Sequence, residues 1–288
     1  MLEVIGVVGV RIFSNTYANV LQKRLIGRAG IPALPINFAV YLLLGLAMSP
    51  AIFLGDWHWS WELFGYACAV GICGAAGNGF LVAALRSGEL SVLGPINAWK
   101  PVVGMIFGLL LLHELPTAAG LTGLALIIVG SYFVLGADER GFRFRSLLRR
   151  DIVLRFLALL FSGIEAVFLK KTVLLSSVVG SFLIWCWFGA FFSLAGLLLV
   201  RPETGTAVRL RAGFRELLAL ALMFGVMQYS TNLAFKLLPV GPALALFQLS
   251  GALNLWFGWK LFQERHMGMK IAGTAIVLLG AALIILGG

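Results

Sequence analysis

Three ionisable side chains stand deep inside long apolar stretches: Arg11, Lys100 and Glu165. An ionised group at the centre of a membrane-spanning helix costs roughly 2.5–3.5 kcal/mol on insertion scales, so one that persists there needs a partner or a function. Two cations against one anion suit a ligand that carries a carboxylate or phosphate. Arg11 can grip such a group through two parallel hydrogen bonds, and Lys100 can add a point charge. Glu165 then serves as a counter-charge, as the partner of a substrate amine, or as a proton carrier.

Uncharged amides accompany these charges. Arg11, Asn15 and Asn19 are spaced four apart and share one helix face. Asn97 and Lys100 are three apart, and Gln228 and Asn232 four apart, so each pair also shares a face. Asn78 and Gln248 complete the set. The candidate substrate-binding residues are therefore Arg11, Asn15, Asn19, Asn78, Asn97, Lys100, Gln228, Asn232 and Gln248, with Glu165 as the coupling residue or counter-charge. Pro101, next to Lys100, is expected to free a backbone carbonyl and bend its helix. Each residue also has a structural alternative. Arg11 could pair with Glu165, Lys100 could extend its head group to an interface, and the amides could tie helices together.

Other chemistry is poorly served. Cys68, Cys73 and Cys186 lie within apolar runs without metal-ligand spacing. Asp56, Asp138, Asp151, His58, His113 and His266 fall in or beside connectors. Serine-hydrolase, zinc-protease and nucleotide-binding motifs are missing from the sequence. No catalytic residue, metal or cofactor is expected, which makes a membrane-embedded enzyme a weak alternative.

The elements that must hold these side chains follow from composition. The chain has 288 residues, 60% hydrophobic and only 12% charged, against about 25% charged in soluble domains. Such a chain has lipid for a solvent. Ten apolar spans are expected, at 3–21, 33–54, 64–85, 90–112, 117–136, 152–170, 177–200, 214–236, 242–262 and 268–287. They must be helices, because backbone in contact with lipid has to satisfy its own hydrogen bonds. The first span has no basic leader or cleavage site before it, so it is expected to be retained. Trp57, Trp59 and Trp61 mark a lipid–water interface. Gly104 with Gly108, and Gly71 with Gly74 and Gly77, suit close helix packing.

The chain also repeats itself. Phe13 to Lys23 (FSNTYANVLQK) returns as Phe161 to Lys171 (FSGIEAVFLKK), with Phe13/Phe161, Ser14/Ser162, Ala18/Ala166, Leu21/Leu169 and Lys23/Lys171 identical. Further on, Gly108/Gly258, Glu114/Glu264, Gly123/Gly273 and Gly130/Gly280 match at an offset of 150. This gives a first five-helix repeat over 1–137, a basic connector over 138–151 and a second repeat over 152–288. Five spans per repeat is an odd number, so the second copy enters the membrane from the opposite side. The expected fold is an all-α membrane protein of ten transmembrane helices, two inverted repeats around a central cavity.

The net charge of +10 resides mainly in the connectors, which argues for membrane orientation and against nucleic acid. Seventeen of the 22 Lys and Arg residues fall on one side, from Lys23 and Arg24 through the cluster at Arg140 to Arg155 and on to Lys270. Only Lys170, Lys171 and Lys236 fall on the other. The positive-inside rule then puts both termini outside the cytoplasm.

The layout resembles the EamA-like ten-helix type of the drug/metabolite transporter superfamily. The duplicated segments carry this resemblance, with Ser91 to Gly130: an apolar run, a short turn at Glu114 and a glycine-spaced helix. The resemblance implies a central cavity lined by helices 1, 3, 4, 6, 8 and 9, which are the helices that hold the polar set. It also implies cytoplasmic termini, opposite to the charge bias. The function expected is secondary transport, by alternating access, of a small polar anionic or zwitterionic metabolite such as an amino acid, with export favoured. A flippase for a lipid-linked substrate is the alternative. The expected location is the cell (inner) membrane. The partners are the substrate and the bilayer, with no nucleic acid and with room for a homodimer.

Overall fold

The computed structural model describes residues 2–54, 59–87, 99–113, 115, 117–135, 148–200, 204–263 and 267–286. Among them every regular element is a helix: α1 (Leu2–Ala29), α2 (Ala33–Met48) with a 3-10 extension (Ser49–Leu54), α3 (Trp61–Ser87), α4 (Lys100–Leu112), α5 (Ala118–Leu135), α6 (Arg150–Leu175), α7 (Val178–Val200), α8 (Thr206–Ala212), α9 (Phe214–Leu237), α10 (Val240–Phe247), α11 (Ser250–Phe262) and α12 (Met267–Leu286). Seven of the described spans are long and apolar enough to cross a membrane. The other three expected spans coincide with shorter apolar helices, at Lys100–Leu112, Ala118–Gly130 and Met267–Leu283. Residues 90–98 of the expected fourth span, the connector at 138–147, Trp57, Glu114 and Glu264 lie outside the described residues. Trp59 and Trp61 are exposed, as interfacial residues are.

The chain forms two compact units, and each draws helices from both halves of the sequence. The first holds residues 1–82 and 168–237. In it α9 packs on α1, α2 and α7, and α2 packs on α7. The α2–α7 seam is close because glycines face rings. A methyl added at Gly189 would lie 2.7 Å from the Tyr41 ring, and one at Gly45 would lie 3.3 Å from Trp187. The Tyr41 and Trp185 rings meet edge to face at 4.6 Å. Gly30 turns the chain between α1 and α2 with φ of 58°, a left-handed conformation that suits a residue without Cβ. Arg209 of α8 donates to its carbonyl at 2.9 Å.

The second unit holds residues 83–167 and 238–288. Its main seam is α5 against α12. A methyl at Gly130 would lie 2.6 Å from the Gly273 carbonyl oxygen, and one at Gly280 would lie 2.5 Å from that of Gly123. The two helices run antiparallel, and the contact is reciprocal: the approaching glycines, Gly130 and Gly280, are counterparts at the offset of 150, and so are the approached ones, Gly123 and Gly273. Only backbone without side chains can come this close.

Helices α4 and α11 also correspond at the offset of 150. Both have 13 residues. Each ends on a non-glycine residue in the left-handed region, His113 at φ 57° and Gln263 at φ 51°. The cap N–H groups donate back to the carbonyls of Gly108 and Gly258. The ninth expected span is wound as two helices, α10 and α11. Between them Gln248, Leu249, Gly251 and Ala252 donate to carbonyls three residues back, so the chain tightens locally to 3-10 winding.

Candidate functional site

Three of the candidate residues, Arg11, Gln228 and Asn232, lie on the seams around α9, in the first unit. Arg11 is buried in α1, and its Nε donates to Thr231 Oγ1 at 3.4 Å. Thr231 donates its own proton to the Met227 carbonyl at 2.7 Å, so its oxygen faces Arg11 as an acceptor. The hydroxyl is a neutral acceptor, and this long bond helps to orient the guanidinium. On the same helix Gln228 Nε2 donates to Asn232 Oδ1 at 2.9 Å. Asn232 Nδ2 in turn donates to the Val178 carbonyl at 3.3 Å, at the start of α7. The four-residue spacing read from the sequence is thus a direct bond, and the pair fixes where α7 begins against α9.

Asn78 of α3 donates to Tyr41 Oη at 2.7 Å. Asn15 and Asn19, on α1, are half-buried.

Lys100 and Glu165 belong to the second unit, whereas Arg11 belongs to the first. Lys100 is the first residue of the described α4, and Pro101 is in its first turn. The bend expected at Pro101 depends on residues 90–98, which lie outside the described residues. Glu165 is half-buried on α6. Two residues before it, a methyl on Gly163 would lie 2.6 Å from Val103 and 3.8 Å from the Lys100 carbonyl oxygen. The helices bearing Glu165 and Lys100 therefore cross closely within one unit. Gln248 is buried at the α10–α11 break, where Nε2 donates to the Leu244 carbonyl at 3.0 Å. Asn97 lies outside the described residues.

Sequence reasoning missed two partners, Thr231 and Tyr41. A threonine in a helix gives no signal, because its hydroxyl is usually satisfied by its own backbone. Tyr41 did offer one: a tyrosine well inside an apolar span is out of place for an interfacial residue. Two further cations, Arg155 and Lys270, were counted with the connectors and are buried within α6 and α12. Among the described residues no group of three His, Cys, Asp or Glu could hold a metal, and Cys68, Cys73 and Cys186 are free thiols. A recess of about 540 Å³ opens between α2, its 3-10 extension and α7. Its lining is mostly apolar, with Phe53, Trp59, Ile184 and Phe188, and contains none of the candidate substrate-binding residues.

Residues 3–136, which carry the glycine-spaced fifth helix, match the model of the EamA-like transporter family. With its long apolar helices the chain is built as a multi-pass membrane protein. No curated protein sequence matches it. Among solved structures, one crystal structure of a protein is similar over 99% of this chain and 97% of its own, with a TM-score of 0.74 at 16% identity. At that identity the likeness shows the fold alone.

Proposed function

We propose that the protein is a secondary transporter of a small anionic or zwitterionic metabolite, with amino acids the leading class and export the favoured direction. The observation that carries this reading is the buried Arg11, oriented by the neutral Thr231 of α9, the helix that also carries the bonded pair Gln228 and Asn232. A guanidinium held in this way can take a carboxylate through two bonds, with amides at hand for the remaining polar atoms. Asn15, Asn19 and Asn78, of the same unit, serve as further contacts in this proposal. Lys100 and Glu165 act as a charge pair on crossing helices of the second unit, with Glu165 in the coupling role.

Alternating access by two inverted five-helix repeats, 1–137 and 152–288, is part of the proposal. Three observations support it: the reciprocal Gly130/Gly273 and Gly280/Gly123 contacts, the antiparallel α5–α12 pairing, and the matched left-handed caps at His113 and Gln263. The charge bias of the connectors supports termini outside the cytoplasm. The test is a thermal-shift screen of the purified protein against amino acids, sugar phosphates, nucleotides and amphipathic cations. Stabilisation by carboxylate- or phosphate-bearing solutes is expected, and stabilisation by cations alone would overturn the anion site. If Glu165 carries the coupling proton, Glu165→Gln transports without the pH dependence of the parent, and an unchanged pH profile removes it from that role.

A further inference from the structure

Five buried side-chain polar atoms lack a hydrogen-bond partner among the described residues, and four of them belong to Gln22, Asn37 and Ser193. All three residues are in the first unit. Gln22 and Ser193 are 0% exposed and Asn37 is 3% exposed. Gln22 has neither its amide nitrogen nor its amide oxygen bonded, Asn37 has its Nδ2 unbonded and Ser193 its hydroxyl. An amide or hydroxyl taken out of water without a partner costs roughly 1–3 kcal/mol by mutational data and more in a hydrocarbon-like setting. Three of them in one unit would be a large liability if each were alone.

Helix register shows that they are not scattered. On the α2–α7 seam Leu34 meets Gly196, Tyr41 meets Gly189, and Gly45 meets Cys186 and Trp187. The positions fall as those on one helix rise, so the residue level with Asn37 is Ser193. Both lie on the contacting faces, at three- and four-residue spacing from the flanking contacts. On the α1–α9 seam Leu25 meets Gly213 and Arg11 meets Thr231. On the α2–α9 seam Leu44 meets Gly225. Interpolation at equal rise per residue brings both Gln22 and Asn37 level with the stretch of α9 around Leu217 and Leu220, two buried residues. One layer of the bundle therefore carries all three polar residues, contributed by α1, α2 and α7.

We infer that this layer is a buried hydration site, in which Gln22, Asn37 and Ser193 hold on the order of one or two water molecules, since a buried water characteristically makes about three hydrogen bonds to otherwise unsatisfied groups. The three residues supply the mixture of donors and acceptors that a bridging water needs. A second feature ties the site to the rest of α1. Gln22 follows Arg11 by eleven residues, close to three full turns, so it lies on the same helix face about 16 Å further along. The inference concerns water alone and stands whether or not Arg11 binds an anion.

Radiolytic hydroxyl-radical labelling of the full chain in lipid nanodiscs tests it, because a bound water delivers radicals to buried neighbours. Leu217 and Leu220 are expected to label several-fold faster than Ile127 and Val277, equally buried on the glycine seam of the second unit. Equal rates would overturn the site. Stability gives a second reading that needs only single and double variants. If water bridges the groups, Asn37→Leu and Ser193→Ala each lower Tm, and together they lower it by clearly less than the sum, because they share one network. If each substitution instead raises Tm and the effects add, the groups are separate dry orphans and the inference fails.

Discussion

The α5–α12 seam and the α1–α9 seam are both built from long apolar helices, and they differ in what they place at the contact. On the first, Gly123, Gly130, Gly273 and Gly280 bring backbone against backbone, with Ile127 and Val277 filling the space between. On the second, Arg11 meets Thr231 where packing alone would put small or apolar residues, and the next residue of α9, Asn232, ties Gln228 to the start of α7. In lipid, helices gain little from burying apolar surface against each other, so contact must come from close packing or from hydrogen bonds. One seam uses the first means and is suited to a fixed joint. The other uses the second and buries a cation at the contact.

The comparison can be broken at either seam. The largest effect is expected from Gly130→Leu. A side chain there meets the Gly273 carbonyl oxygen and the Val277 backbone, neither of which can yield. The folded fraction should fall sharply in size-exclusion and thermal-melt assays, with transport lost in proportion. A well-folded variant would show that the seam is looser than described. Asn232→Leu comes next. It leaves the Gln228 amide and the Val178 carbonyl without their bonds, a loss of about 1–3 kcal/mol that chemical denaturation should detect. Thr231→Val keeps shape and removes the acceptor that orients Arg11. We expect a smaller effect here, a rise in KM of a few fold with Tm little changed. A fall in Tm with KM unaltered would make Thr231 a packing residue only.

Much of this was legible in the sequence, for reasons particular to each element. Hydropathy and length located the spans, because lipid imposes helix and length together. The i, i+4 spacing placed Gln228 and Asn232 on one helix face, and their bond is a local consequence of it. The glycine matches at the offset of 150, read as a sign of duplication, are found in reciprocal contact. Links between distant segments were not legible. Arg11 and Thr231 are 220 residues apart, and no local rule joins them. The bond between Tyr41 and Asn78 was hidden for the same reason. The interleaving of the sequence halves into two compact units was equally out of reach, because α6 passes from one unit to the other without any break in its hydropathy.

The claim on which the account rests is that Arg11 holds the anionic group of the transported solute. Flux in proteoliposomes, measured with acidic and zwitterionic amino acids for the parent chain and for Arg11→Gln at matched folded fractions, tests it most directly. We predict a loss of at least tenfold in the substituted protein, equivalent to about 1.4 kcal/mol, with partial recovery in Arg11→Lys. Undiminished flux in a folded Arg11→Gln protein would contradict the account and leave the α1–α9 seam as packing.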